Sequence, residues 1–280
     1  MTSRKVRFGI ALSGGGARGF AHIGALKALE EFGLQPDVVS GTSMGALVGV
    51  LYAAGYAPDE ISEMIRHEKF YRLIDIRLRK GGLLNLKKVQ DLLTEKIEEN
   101  DFSALKKPFY VSVANLNTGA NEVRHSGRLF EFVIASSSIP LVFTPQKIDG
   151  QTYVDGGLFN NLPADAIRDK VDVVVGIHAN HNSPVEEISG TREIAERCFQ
   201  LSIAQNVAKS RELCDYFIDP PEARRFGTFD FPQIDQIMEV GYQEAVRVLK
   251  EEIVPDGWLP VMREELSAKQ NDLPANKQRG

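Results

Sequence analysis

The stretch VVSGTSMGALVGVLYAAG, residues 38–55, places one serine, Ser43, between two glycines, with apolar residues before it and small and apolar residues after it. Its GTSMG segment, residues 41–45, matches G-x-S-x-G, a pattern in which a strand turns sharply into a helix and exposes the serine at the bend. We therefore predict a buried strand, a tight turn and a closely packed helix. Interrupting glycines, serines and a threonine argue against a membrane span here. A tight structural turn with an inert serine is the alternative.

The pattern around this stretch predicts the fold class. Several apolar runs do not alternate with polar residues, which is typical of strands buried on both faces. They alternate with helix-like stretches, so we predict a three-layer α/β/α fold with a mainly parallel central sheet. We expect one domain, residues 1–263, followed by a polar tail, residues 264–280. The predicted strands are residues 6–12, 38–39, 109–114, 171–177 and 216–218, and the predicted helices are residues 21–32, 46–54, 58–67, 86–99, 129–136, 188–213 and 234–253.

Composition narrows the classes of function. A formal net charge of -5 over 280 residues argues against a surface built to neutralise nucleic-acid phosphates. The two cysteines, Cys198 and Cys214, lack the spacing of a zinc site or a disulfide framework, so we interpret them as buried thiols. The apolar run at residues 8–12 is too short for a signal-peptide core, and we expect a cytoplasmic chain.

A glycine-rich loop follows the first predicted strand, in ALSGGGARGFAHIG, residues 11–24. Gly14, Gly15 and Gly16 leave backbone N–H groups unobstructed at a predicted helix N-terminus, which favours an anion. Residues 14, 16 and 19 also fit the dinucleotide pattern G-x-G-x-x-G, but that pattern requires an acidic residue at the end of the second strand. The serine turn occupies that place, which favours an oxyanion. Arg18 either assists a developing charge or ties the loop to a neighbouring carboxylate.

A nucleophilic serine needs a base, and two candidates are present. His178 follows the apolar run VDVVVGI, so Ser43, Asp155 and His178 could form a triad in the chain order of α/β-hydrolases. In that fold, however, the nucleophile follows several strands rather than the second. Asp155 is the other candidate, because it ends a short apolar run in YVDGGLFNNLP, residues 153–163, and is followed by two glycines. An Asp-Gly-Gly segment alone is as often a simple turn.

Together, GGGARG at residues 14–19, GTSMG at residues 41–45 and DGG at residues 155–157 resemble the patatin-like phospholipase family. The segment IASSSIPLVFTP, residues 134–145, is also similar to the family's segment ahead of its aspartate. The resemblance covers about residues 6–180, in the family's order and spacing. One departure is Ser13, where many relatives have an acidic residue.

This resemblance implies a catalytic dyad of Ser43 and Asp155, with the loop Gly14, Gly15, Gly16, Ala17 and Arg18 as the oxyanion hole. Ser43 would attack an ester carbonyl while Asp155 accepts its proton, and no metal or cofactor is required. An ordinary aspartate is a weak base at neutral pH, so we expect apolar surroundings to raise the pKa of Asp155.

The segment RHEKFYRLIDIRLRKGGLLNLKK, residues 66–88, has a formal charge of about +6, from eight Lys or Arg residues and two acidic residues. Interleaved apolar residues would let it contact an anionic membrane surface peripherally. A solvated helix or loop that covers the core explains the same pattern.

The residues and the resemblance together predict a serine hydrolase acting on phospholipid or lysophospholipid esters. An acyltransferase would use the same acyl-enzyme with an alcohol in place of water. A non-catalytic lipid- or nucleotide-binding module that retained the turn geometry is the alternative outside enzymes.

Overall fold

The computed structural model describes residues 6–67, 86–180 and 187–256. Its eight strands are β1 (Phe8–Leu12), β2 (Val38–Gly41), β3 (Phe109–Asn115), β4 (Ala120–Arg124), β5 (Gln146–Ile148), β6 (Gln151–Asp155), β7 (Val173–Ile177) and β8 (Tyr216–Ile218). Its α-helices are α1 (Ala21–Glu31), α2 (Met44–Ala53), α3 (Pro58–His67), α4 (Lys87–Lys96), α5 (Leu129–Ser136), α6 (Asp165–Arg168), α7 (Gly190–Arg211) and α8 (Ile234–Val248). None of the helices within these described ranges has the length and apolar character needed to cross a membrane.

One sheet contains all eight strands, in the order β5-β6-β3-β2-β1-β7-β8, with β4 paired to β3. The pairs among β3, β2, β1, β7 and β8 are parallel, whereas β4 and β6 run antiparallel to β3. The prediction of a mainly parallel sheet is therefore confirmed. The antiparallel part, which includes β5 and β6, was not predicted.

Two hydrophobic cores lie on opposite faces of the sheet, and β1 shows why its sequence is uniformly apolar. Ile10 and Leu12 belong to the larger core, which α1, α2, α3, α4, α5 and α8 cover. Ala11 belongs to the smaller core, which α6 and α7 cover. Because successive strand residues face opposite sides, both sides of β1 must be apolar. This arrangement is the predicted α/β/α layering.

Strand register brings three chain segments to one edge of the sheet. The carboxyl ends of the parallel strands β1 and β2 lead into the glycine loop and the serine turn, respectively. On β3, Val111 pairs with Gly41 of β2 and Val113 pairs with Asp155 of β6. Ser43 lies two residues beyond Gly41, so it is at the level of Asp155, on the other side of β3.

Candidate active site

The serine turn has the strained backbone expected of a nucleophile at a sharp strand-to-helix bend. Ser43 links β2 to α2 with φ 55° and ψ -124°, a positive φ that is uncommon outside glycine. A Cβ added at Gly45 would lie 2.4 Å from the carbonyl oxygen of Leu12, so only glycine fits there. Ser43 itself is buried, with 6% of its surface exposed. Strain of this kind persists where the surrounding structure enforces it.

Three consecutive serines at the end of α5 hold this turn. The N–H of Ser43 donates to Oγ of Ser136 over 2.9 Å, and that hydroxyl donates to the carbonyl oxygen of Ser112 over 2.7 Å. Oγ of Ser137 lies 3.3 Å from the carbonyl oxygen of Ser43. The carbonyl oxygen of Ser138 accepts the N–H of Asp155 over 2.9 Å. The serine run 136–138 therefore contacts the backbone of both Ser43 and Asp155, a positioning role that the sequence analysis missed.

Asp155 ends β6 and faces Ser43. Its carboxyl group interacts with the side chain of Ser43, and its Oδ1 accepts the N–H of Gly157 over 2.8 Å. Burial raises the pKa of Asp155 to about 7, although both contacts favour the charged form. The carboxyl group is therefore suited to exchange a proton near neutral pH.

The glycine loop lies against the serine, and its amide groups differ in what they bind. A Cβ added at Gly14 would lie 2.9 Å from Cβ of Ser43. The N–H of Gly14 donates to the carbonyl oxygen of Asn161 over 3.1 Å, and that of Ala17 donates to Thr228 over 2.8 Å. Within the described residues, the N–H groups of Gly15 and Gly16 have no hydrogen-bond partner. These two loop amides are available to an acceptor outside the chain.

Arg18 ties the loop to the segment before α8. Its Nη2 donates to Oγ1 of Thr228 over 3.1 Å. Burial lowers the pKa of Arg18, while the nearby carboxylate of Asp230 acts in the opposite direction. Arg18 therefore links the loop to Thr228 and lies within the electrostatic influence of Asp230.

The buried Ser13 anchors the start of the loop. Its hydroxyl accepts the N–H of Ala179 over 2.9 Å and donates to the carbonyl oxygen of Gly14 over 2.9 Å. Nε2 of His22 lies 2.7 Å from the carbonyl oxygen of Ser13, so this nitrogen is the donor. Burial lowers the pKa of His22 to about 4, which keeps the imidazole neutral. The serine that departs from the family pattern thus has a structural role.

His178 is placed differently from the triad hypothesis. Its Nδ1 lies 2.8 Å from Oδ1 of Asp219, and its ring stacks on Phe217. Among the described residues that line the cavity, Ser43 and Asp155 are present and His178 is not. The geometry therefore brings Ser43 to Asp155 directly, without an intervening imidazole.

A cavity of about 310 Å³ opens above Ser43 and Asp155. Helix α7 forms one wall, with Ala195, Phe199 and Ile203 facing the interior. A narrow crevice of about 30 Å³ continues from Ser43 and is almost wholly apolar. The cavity is lined by Gly15, Gly16, Ser43, Ile139, Pro140, Leu141, Val142, Asp155, Asn161, Asn180, Ala195, Phe199, Gln200, Ile203, Thr228 and Phe229. The crevice adds Met44, Leu47, Leu86, Ser137, Phe143 and Phe231.

Two other predictions have separate outcomes. The interpretation of both cysteines as buried is wrong, because Cys198 on α7 is exposed and Cys214 is half-buried. Most of the basic segment, residues 68–85, lies outside the described residues, as do residues 257–280 with the predicted tail. At the described start of the basic segment, Arg66 forms an ion pair with Asp235 over 2.7 Å.

Comparison with known proteins decides the family. The model of the patatin-like phospholipase family matches residues 10–168, more than half of the chain. The chain belongs to the patatin-like phospholipase family. Within this family, it is 29% identical over 288 residues to the patatin-like phospholipase domain-containing protein ZK370.4 of Caenorhabditis elegans, covering 89% of this chain and 21% of that protein.

Two further family relatives are large proteins. The chain is 28% identical over 270 residues to human patatin-like phospholipase domain-containing protein 6, covering 84% of this chain and 20% of that protein. It is 29% identical over 286 residues to lysophospholipase NTE1 of Mycosarcoma maydis, covering 89% of this chain and 15% of that protein. The chain therefore spans about a fifth or less of the length of these curated relatives.

A solved structure supports the patatin-like fold. The crystal structure of VipD from Legionella pneumophila aligns with a TM-score of 0.51 at 15% identity, covering 88% of this chain and 67% of that chain. At this identity the likeness concerns the fold alone. Together with the family match, it confirms the predicted fold class.

Proposed function

We propose that the chain is a serine lipid acyl hydrolase that cleaves carboxylic esters of phospholipids or lysophospholipids through an acyl-enzyme. The observation that carries this proposal is the approach of the Ser43 side chain to the buried carboxyl group of Asp155 in the wall of one cavity. The names of the relatives, patatin-like phospholipase and lysophospholipase, support the substrate class.

The first half-reaction forms the acyl-enzyme. Oγ of Ser43 attacks the ester carbonyl carbon while the carboxylate of Asp155 accepts the hydroxyl proton. The negative charge that develops on the carbonyl oxygen is stabilised by the N–H groups of Gly15 and Gly16, which do not have to leave another acceptor first. Asp155 then donates its proton to the departing alcohol, and the C–O bond of the ester breaks.

The second half-reaction releases the fatty acid. Asp155, again a carboxylate, accepts a proton from water, whose oxygen attacks the acyl carbon. The intermediate collapses, the bond to Oγ of Ser43 breaks, and Asp155 returns the proton to the serine. Asp155 acts first as a base and then as an acid. A pKa of about 7 suits both roles, because a group that accepts and donates a proton works best when its pKa lies near the working pH.

Shape and polarity of the site support a lipid acyl group. The cavity of about 310 Å³ has the apolar residues Ile139, Phe199 and Ile203 in its lining. An acyl chain placed there would be removed from water, at a gain of about 0.8 kcal/mol per buried methylene group. The crevice of about 30 Å³ beside Ser43 is too small for more than about one such group.

A fluorophosphonate probe tests the nucleophile. Peptide mapping of the labelled protein is expected to find one adduct, on Ser43, and Ser43→Ala is expected to abolish both the adduct and the release of fatty acid from lysophosphatidylcholine. Ser202→Ala is a matched control, since Ser202 is a half-buried serine on α7 that bonds the carbonyl oxygen of Leu158. Labelling of Ser43→Ala at the wild-type level, or undiminished fatty-acid release, would refute the proposal.

A further inference from the structure

Large apolar side chains are exposed around the mouth of the cavity. Leu141 and Phe229 line the cavity, yet 51% and 46% of their surfaces are exposed. On α7, Ile194 and Leu201 are 53% and 45% exposed, and Cys198 between them is also exposed. Spacings of four and three residues place Ile194, Cys198 and Leu201 on one face of the helix. These five residues are called the apolar rim.

The α7 part of the rim borders the cavity directly. Ile194 and Cys198 immediately precede Ala195 and Phe199, which face the cavity interior. Since one residue turns an α-helix by about 100°, the exposed stripe lies next to the face that lines the cavity. On α7, the exposed apolar stripe and the cavity wall therefore adjoin, with one facing solvent and the other facing the cavity interior.

Leu141 is held in the rim at a cost to the backbone. Its φ of 67° lies in the left-handed region. Glycine, asparagine and aspartate adopt this region, whereas a bulky residue such as leucine seldom does. Such strain persists where it serves a site rather than packing. Here it accompanies the exposure of an apolar side chain at a cavity mouth, and neither feature contributes to a stable core.

We propose that the apolar rim inserts into the surface of a phospholipid aggregate, so that the cavity mouth faces lipid. This inference rests on the proposed function, because an acyl chain in a bilayer must reach Ser43 through this mouth. If the rim is in contact with lipid, the acyl chain passes directly from the apolar interior of the bilayer to the apolar cavity. The inserted groups are uncharged, so binding does not require anionic lipid, in contrast to the binding expected of the basic segment 66–88.

The chain offers a built-in probe position for this test. Cys198 is an exposed rim residue, and the only other cysteine, Cys214, is half-buried, with its pKa raised to about 12 mainly by burial. A polarity-sensitive fluorophore attached to Cys198 in the Ser43→Ala protein would report insertion without hydrolysis of the lipid. The matched control carries Cys198→Ser and Asp169→Cys, since Asp169 is exposed in the turn before the amino end of β7.

With phosphatidylcholine vesicles, we expect a blue-shifted emission from the label at Cys198 and no shift from the label at residue 169. Ile194→Gln and Leu141→Asn are each expected to lower the vesicle partition coefficient of the unlabelled protein by about tenfold. Leu141→Asn should not lower the melting temperature, because asparagine tolerates a positive φ. Ile194→Gln should leave the hydrolysis of a water-soluble short-chain ester unchanged, because Ile194 is outside the cavity.

Three results would overturn the inference. They are equal shifts at both labels, binding that requires phosphatidylserine and survives both rim substitutions, or self-association in sedimentation that Ile194→Gln abolishes. The last result would assign the rim to a second copy of the chain. Because insertion is measured on the Ser43→Ala protein, its outcome is separate from the test of the nucleophile.

Discussion

Replacing Asp155 by asparagine should stabilise the fold in a pH-dependent way while abolishing hydrolysis. Asp155 is 2% exposed, and burial raises its pKa from the ordinary 3.8 to about 7. Asparagine has nearly the same shape, and its carbonyl oxygen can still accept the N–H of Gly157. The substitution therefore removes an ionisable group from the interior with little change in packing.

The magnitude follows from the two pKa values. Below about pH 4, Asp155 is protonated in the folded and in the unfolded chain, and it adds no pH dependence. As the pH rises to about 7, the unfolded chain loses this proton while the folded chain keeps it, so unfolding becomes easier. Each pH unit across this interval lowers the free energy of unfolding by about 1.36 kcal/mol, and the whole interval by about 4 kcal/mol.

Urea denaturation of both proteins at a series of pH values measures this difference. The free energy of unfolding of Asp155→Asn, minus that of the wild type, should grow by about 4 kcal/mol between about pH 4 and pH 7 and then stay constant. Asp91→Asn, the same substitution at an exposed position on α4, is the control for effects of the mutation itself. A flat difference for Asp155→Asn would show that this carboxyl group titrates normally, and the argument for its role as a base near neutral pH would fail.

Three further predictions concern the same site. Ser136→Ala should leave the N–H of Ser43 buried without an acceptor and lower kcat by about tenfold to a hundredfold at similar KM; an unchanged kcat would contradict its positioning role. The pH profile of kcat/KM should fall below about pH 7 with the ionisation of Asp155 and keep this shape in His178→Ala. Loss of that inflection in His178→Ala would support the triad instead. Gly14→Ala should abolish fluorophosphonate labelling, because the new Cβ would lie 2.9 Å from that of Ser43; normal labelling would show that the loop can shift.

Features that depend on neighbouring residues could be predicted from the sequence. The strand, turn and helix around Ser43 were predicted because glycines and apolar residues define them within twenty positions. The parallel strands were recognised because burial on both faces makes each run uniformly apolar. The short strands β4 and β5 carry charged residues and have only five and three residues, so neither periodicity nor composition marked them.

Features that depend on distant residues were not accessible in this way. Asn161 and Thr228 lie far along the chain from the glycine loop. Their carbonyl oxygens accept the N–H groups of Gly14 and Ala17, and this decides which loop amides remain available. Cys198 was expected to be buried because its spacing from Cys214 indicated neither a zinc site nor a disulfide framework. In the structure, that part of α7 borders the cavity rather than a fully covered core, so part of its apolar surface remains exposed.

The meeting of Ser43 and Asp155 depends on the one part of the sheet that breaks the parallel pattern. Since β6 runs antiparallel to β3, it enters from the edge where the nucleophile turn lies and ends inside the sheet, opposite Val113. This register holds the carboxyl group two residues inside the end of β3, at the level of Ser43, where Asp155 is 2% exposed. Burial is the cause of its raised pKa. The antiparallel pairing of β6 therefore sets the position of the proposed base, and the packing around that position sets its strength.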